Sequence, residues 1–467
     1  MKKLFRTKVV EPSTQGLRRC LTAFDLTMLG IGAIVGAGIF VLTGIAAATQ
    51  AGPAILISYL LAGLACCFAA LSYSELASSF GGCGGAYGYA YAGMGECIAW
   101  IIGWDLLLEY GMDAATVSIG WSGYFQNALS AYGIALPKML TTDPFNGGFI
   151  NLPAVLIIFC LAGILTLGTK ESARFNTIIV CIKLFVIALF IAIGMKYFNP
   201  QYWHPFMPFG PQGIVNGAGL IFFAYIGFDS VSTAGEEAIN PQRDLPIGII
   251  ASLVICTAIY IMVAAILTGI AYYPTLNVSS PVAAALLNLG YKFSSQIVAL
   301  GAIAGLTTAI LAMFFGFSRV FLAMARDGLL PKSFIKLHVK SQTPRRLIWM
   351  VACLMAAGAG FFPINQIANL VNIGTLAAFV AVCGSVIVLR YTKPDLKRSF
   401  KTWSPGVPLI GMVLCFYLIA NLPKVTWISF AIWTFAGLII YFCYSRFNSS
   451  IATMDSSLAL DSPQTKE

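Results

Sequence analysis

Four stretches of this sequence hold residues able to do chemistry, and all four lie in apolar surroundings. Lys183 stands in Ile178-Ile179-Val180-Cys181-Ile182-Lys183-Leu184-Phe185. The stretch Gly103 to Asp113 carries Asp105, Glu109 and Asp113, at i, i+4 and i+8, which sets three carboxyls on one stripe of a helix. The stretch Gly30-Ile31-Gly32-Ala33-Ile34-Val35-Gly36-Ala37-Gly38 has four glycines in nine positions. Each costs about 1 kcal/mol relative to Ala in a helix, so such a helix can break near its middle. The fourth, Ala224-Tyr225-Ile226-Gly227-Phe228-Asp229-Ser230, pairs a glycine with an ionisable residue.

A break leaves a half-helix whose first amides have no partner and carry partial positive charge, while the preceding half ends in free carbonyls. In hydrocarbon these groups need partners, and a zwitterionic amino acid supplies both kinds. Its carboxylate suits the N–H groups of Gly36, Ala37 and Gly38, and its ammonium suits carbonyls near Ile34 and Ala224. Phe223 can close over the ligand, and Ile226 and Asp229 complete the candidate set. Asp229 has two readings: it binds ammonium or a proton, or it caps the inner half-helix. The glycines also have a packing reading, since Gly32 and Gly36 form a GxxxG pair. A dinucleotide site is excluded, because the spacing is GxGxxxGxG and no strand precedes it.

Lys183 lies nine residues beyond Arg174, about 13 Å along a helix. Either its stem snorkels to the inner surface, or it takes and releases a proton as a gate moves. Thr307 and Thr308 are candidate hydroxyl partners, unless they bond back to their own helix. Asp105 and Asp113 can be read as lying near the polar ends of an offset span, whereas Glu109 is too central for that and joins the candidate site.

The elements that position these residues are membrane helices. Of 467 residues, 58% are hydrophobic and 10% charged, far from the balance of a soluble domain. About 20 apolar residues span the hydrocarbon core, and twelve such runs are predicted: 22–49, 54–79, 97–126, 152–169, 174–197, 213–239, 245–272, 296–325, 347–362, 366–391, 406–421 and 425–446. If the first runs outward, 23 of 28 basic residues fall on the inner side and four, Lys138, Lys196, Lys292 and Lys424, on the outer, so both termini are expected in the cytoplasm. The expected organisation is a cytoplasmic segment 1–21, a transmembrane domain 22–446 and a disordered cytoplasmic tail 447–467. Residues 280–289 are expected to form a short helix in the outer interface. The two interrupted spans, first and sixth, lie five apart, and an odd offset makes the second copy enter from the opposite face, an inverted repeat.

Several function classes fall away. The +10 charge is dispersed at the ends of apolar runs and forms no nucleic-acid stripe. Twelve cysteines give no CxxC pair, so no metal site or disulfide framework is indicated and no cofactor is expected. The two histidines, His204 and His338, fall in predicted loops, and no GxSxG, HExxH or Walker A motif occurs, which argues against an enzyme.

Five strings in order resemble the amino acid–polyamine–organocation superfamily, and within it the bacterial relatives of the cationic amino acid transporters. They are Gly30 to Gly44; Leu108-Glu109-Tyr110; Phe222 to Pro246, with Glu236-Glu237-Ala238-Ile239-Asn240-Pro241; Ser318-Arg319-Val320 through Asp327-Gly328; and Asn372-Ile373-Gly374-Thr375-Leu376 through Leu389-Arg390. The resemblance implies a leucine-transporter-like fold of two inverted five-helix repeats plus two extra helices, with substrate between spans one and six. It matches Lys183 to a span-five lysine that stands in for a sodium ion in proton-coupled relatives, and Glu109 to a span-three glutamate associated with the site. The expectation is secondary active transport of amino acids in the cell membrane, as proton-coupled uptake by alternating access. Its rivals are an amino acid exchanger and a non-transporting sensor or partner subunit. Expected partners are the amino acid, the proton and the bilayer, with a small companion membrane protein left open.

Overall fold

The computed structural model describes residues 19–80, 84–130, 133–278, 280–336, 343–422 and 424–450, together with Thr7 and His338. Most of the expected segment 1–21 and the tail beyond Ser450 lie outside the described residues. The described chain is helical, and its only strand-like pairings are two isolated bridges, Leu21 with Ala238 and Thr141 with Asn151.

The helices are α1 (Ala23–Ile34), α2 (Thr43–Ala46, between π turns Gly38–Leu42 and Ala47–Ala51), α3 (Ile55–Phe80), α4 (Gly85–Gly93), α5 (Glu96–Ser130), α6 (Leu152–Leu167), α7 (Thr169–Met195), α8 (Gly210–Ile221), α9 (Ser230–Thr233) and α10 (Pro241–Ile270). They continue as α11 (Pro281–Asn288), α12 (Lys292–Arg326), α13 (Arg345–Phe361), α14 (Ile364–Thr392), α15 (Gly406–Ala420) and α16 (Lys424–Ile440). Among the described residues, seven helical segments are long and apolar enough to cross a membrane, and Leu152–Leu167 and Gly406–Ala420 are shorter apolar helices. One of the seven, Ala23–Phe80, is 58 residues long, enough length for two crossings of a ~30 Å core.

Local chemistry sets the ends. Thr22 and Asp25 form a capping box at the start of α1, with the Thr22 side chain accepting from the Asp25 N–H and the Asp25 carboxylate accepting from the Thr22 N–H at 3.0 Å. Asn151 caps α6 ahead of Pro153. The α6–α7 turn passes through Gly168, at φ 144°. α4, in which all nine residues are buried, was not among the predicted spans, being too short for the length criterion.

α5 and α12 pack along each other at the centre, α3 lies on α10, and α1 lies against α7, α10 and α12. At one end of the bundle, Arg319 of α12 meets Glu237 through two bonds, 2.9 and 3.2 Å, both side chains buried. Arg326 meets Glu236 at 2.6 Å, and Arg390 grips Glu75 at 2.6 and 2.9 Å. Breaking one partner of a buried pair such as Arg319 and Glu237 costs far more than the pair contributes. The expected interfacial helix at 280–289 forms as α11, but five of its eight residues are buried, and it packs on α12 and α2. It is therefore part of the bundle instead of an element lying on the bilayer surface.

Candidate functional site

The first helix ends at Ile34, turns through Val35 and Gly36, and resumes as a π turn at Gly38. Val35 donates back to the Ile31 carbonyl at 3.0 Å, the last bond of α1. Among the described residues no acceptor faces the N–H groups of Gly36, Ala37 or Gly38, and the three glycine-rich residues are buried. Unpaired buried amides at a helix start form an anion-binding cradle.

The sixth-span region breaks as expected too: α8 stops at Ile221, a 3-10 turn Phe222–Tyr225 follows, and Ile226 is extended at φ −60°, ψ 135°. Gly227 adopts φ 122°, a conformation a side chain rarely allows, and a Cβ there would also sit 2.8 Å from the Ala33 Cβ. The two breaks touch at backbone level, because a Cβ on Gly38 would overlap Ala224. Thus Ile34, Gly36, Ala37, Gly38, Phe223, Ala224, Ile226 and Asp229 come together, all buried.

Tyr260, on α10, was missed by sequence reasoning. Its hydroxyl lies 2.5 Å from the Ile34 carbonyl and 2.8 Å from the Ala224 carbonyl, the two acceptors assigned to a substrate ammonium. One hydroxyl hydrogen serves one of them at a time. The ring is held by Tyr59 and Tyr225, at centroid distances of 5.4 and 5.5 Å. A signal was present, since a tyrosine alone in Ala258-Ile259-Tyr260-Ile261-Met262 must find an acceptor for its hydroxyl.

Asp229 corrects the capping reading. It makes no side-chain bond to the start of α9. Its Oδ1 instead accepts from the Gly227 N–H at 3.2 Å, and its Oδ2 accepts from the Tyr110 hydroxyl. The positive φ of Gly227 turns that amide back toward the carboxylate, so the aspartate braces the break.

Lys183 is fully buried, which removes the snorkelling alternative. Its ammonium donates to the carbonyls of Ile31, Gly32 and Val35 at 3.0, 3.1 and 2.9 Å, and to the Thr308 hydroxyl at 2.9 Å. Three of those partners are carbonyls at the end of α1, of which that of Ile31 also accepts from the Val35 N–H, so α7 and α12 hold the first break through one lysine. Thr307 is not a partner: it accepts from the Trp121 indole at 3.0 Å and donates to the Ile303 carbonyl at 2.8 Å. The 100° step between neighbours on a helix turns the two hydroxyls to different faces.

Lys183 meets no carboxylate among its hydrogen-bond partners. Glu109 is buried and neither of its oxygens meets a donor, while Thr375 beside it donates to the Val371 carbonyl at 3.1 Å. Asp105 is buried and equally without a donor, pressed on Gly374, where a Cβ would sit 2.8 Å from its Oδ1. Asp113 is buried as well. The reading of Asp105 and Asp113 as residues at polar span ends therefore fails, because α5 runs from Glu96 to Ser130 and both lie inside the bundle. Glu109 makes no direct bond to either break; its neighbour Tyr110 does, through Asp229.

The amino acid permease family matches residues 21–444 of the chain. The methylthioribose transporter of Bacillus subtilis is 47% identical over 457 residues, covering 96% of this chain and 99% of that protein. The branched-chain amino acid permease of the same organism is 48% identical over 462 residues, again covering 96% and 99%. The vacuolar cationic amino acid transporter 2 of Arabidopsis thaliana is 38% identical over 389 residues, covering 81% and 61%. These relatives are transporters and permeases, not enzymes. With its helical bundle, two interrupted helices and end-to-end match, the chain belongs to the amino acid permease family.

Proposed function

We propose that the protein is a secondary active transporter that takes up amino acids with a proton by alternating access. In this reading twelve spans, a five-plus-five inverted repeat and two further helices, fill residues 22–446 of a cell-membrane protein. Residues 1–21 and 447–467 are cytoplasmic. The observation that carries it is the contact of the two breaks, with open amides at Gly36, Ala37 and Gly38 on one side and the Ile34 and Ala224 carbonyls on the other. The substrate carboxylate takes the amides, its ammonium takes the carbonyls, and Phe223 closes the outer path. Ile226 and Asp229 shape the second break, and Glu109 lies behind it.

Lys183 couples the proton to the inner gate. Protonated, it supplies donors to three carbonyls of α1; without the proton those carbonyls lose their charged partner, and α1 is released toward the inside. The supporting geometry is the absence of any carboxylate among its bonded partners, which leaves its charge to be balanced by helix-end carbonyls alone.

Uptake of radiolabelled amino acids into proteoliposomes, with an inward proton gradient and no sodium, tests the proposal. Branched-chain and cationic amino acids and methylthioribose belong in the panel, since relatives carry those names. Gradient-driven accumulation of an amino acid is the expected result. Uptake only into preloaded vesicles would establish an exchanger, binding without flux a sensor, and accumulation of methylthioribose alone would overturn the amino acid substrate.

A further inference from the structure

The outer connection between α5 and α6 is unlike a loop built for water. Between residues 134 and 149 it exposes Ile134, Leu136, Met139, Leu140, Phe145 and Phe149, all six aromatic or long aliphatic. Met139, Phe145 and Phe149 are each about two-thirds exposed, at 65%, 69% and 65%. Only two charges fall in the stretch. Asp143 is used internally, accepting from the N–H of Asn146 at 3.1 Å and from its side-chain amide at 2.8 Å. Lys138 is therefore the one basic group of this surface, and Asp143 is engaged by its own turn.

Part of the backbone is also bonded within the protein. The N–H groups of Leu140, Thr141, Asn146, Gly147, Gly148, Phe149, Ile150 and Asn151 all donate to carbonyls of the protein, and Pro137 and Pro144 have no N–H to satisfy. Two 3-10 turns, Lys138–Leu140 and Pro144–Asn146, and the Thr141–Asn151 bridge accomplish it.

The patch continues an apolar surface already present. Phe145 stacks on Phe362, with centroids 6.3 Å apart, and Asn151 donates to the Gly360 carbonyl at 3.1 Å, which fastens the loop to the end of α13. Phe361 ends α13 and is exposed like Phe362 after it, and Leu354 of α13 and Leu156 of α6 are exposed on these two apolar helices, which pack together. Such helix faces are covered by lipid chains in a membrane protein.

We propose that residues 134–149 form an interfacial anchor whose Met139, Phe145 and Phe149 side chains enter the outer leaflet, with Lys138 reaching the lipid phosphates. The anchor holds the outer ends of α5 and α6 at a fixed depth and extends the lipid-facing belt over the loop. It takes the place of the interfacial element that the sequence suggested at 280–289.

The test uses the full chain in nanodiscs of phosphatidylethanolamine and phosphatidylglycerol, with Met139→Cys, Phe145→Cys and Phe149→Cys as single variants and Gln201→Cys, exposed in another connection, as the water-facing control. Labelling by a charged maleimide and by an uncharged, lipid-soluble one is followed site by site by mass spectrometry, so the native cysteines report separately. The expected result is that the charged reagent reaches the three patch cysteines at least about tenfold more slowly than Cys at 201, while the lipid-soluble reagent removes the difference. Equal rates with the charged reagent would place the patch in water and overturn the proposal. Slow labelling by both reagents would mean that protein, such as a second copy, covers it, and would overturn it equally. Neither result depends on transport, so the functional proposal stands or falls separately.

Discussion

The two interrupted helices reach similar shapes by different means. The first is built from glycines and held by other helices: Lys183 of α7 and Thr308 of α12 secure its carbonyl end, and its amide end is left open. The second is held largely by its own side chains. Asp229 accepts from the Gly227 amide, and the Gly227 carbonyl accepts from both the N–H of Ser230, at 3.1 Å, and its hydroxyl, at 2.6 Å. The Asp229 carbonyl is likewise taken by the Ser232 hydroxyl, at 2.6 Å. The first break is thus the responsive one, since its stability depends on a charge delivered from elsewhere, and the second is a preformed platform. Tyr260 joins them.

Removing the lysine charge should break this contrast most severely. Lys183→Met takes the charged donor from three buried carbonyls, of which that of Ile31 keeps the Val35 N–H; each carbonyl left unpaired costs about 1–3 kcal/mol, and proton-driven accumulation in proteoliposomes should vanish. Full accumulation by this variant would falsify the coupling role. Next comes the contact between the breaks. Gly38→Ala drives a methyl into Ala224 and should lower uptake by about a hundredfold, a loss of roughly 3 kcal/mol in the range of overpacked cores. Gly36→Ala meets only the Ala309 methyl, 3.0 Å away, and should be milder; equal effects would remove the backbone contact as the cause.

Tyr260→Phe takes one hydroxyl from two carbonyls at once. A loss of about 1–2 kcal/mol corresponds to roughly five- to thirtyfold in substrate affinity, measurable by isothermal titration. An unchanged affinity would show that the hydroxyl only fills space. Smallest is Ser230→Ala, because the Ser230 N–H still serves the Gly227 carbonyl; a change of about 0.5–1 kcal/mol, below about fivefold in uptake, is expected. A large effect there would mean that the second break is less self-sufficient than its bonding implies.

Much of this was legible in the residue order. Glycine spacing at 30–38 and the Gly227-Phe228-Asp229 string located both interruptions, since their helix cost and their depth in apolar runs are local properties. The depth of Lys183 followed from the rise of a helix, and Thr308 was named beside Thr307 without a means of choosing between them. Other features had no local signature. α4 is a nine-residue buried helix that no span-length criterion finds, and the outer connection gave no periodic pattern that set it apart from an aqueous loop. The partner of Asp229 turned out to be the Gly227 amide and not the start of α9, because the backbone reversal at Gly227 redirects that N–H.

By itself, then, the sequence determined the solvent, the helical class, the places where helices fail and the residue types that stand there, because each depends on composition, spacing or the cost of a residue within one helix. Tertiary structure decided which groups meet. It brought Gly38 against Ala224 across 186 positions of chain, turned Lys183 onto three carbonyls at the end of α1, and set Tyr260 between two carbonyls. Those outcomes depend on how α1, α7, α10 and α12 rotate and approach one another, and that is fixed by packing over the whole bundle, which no single helix encodes.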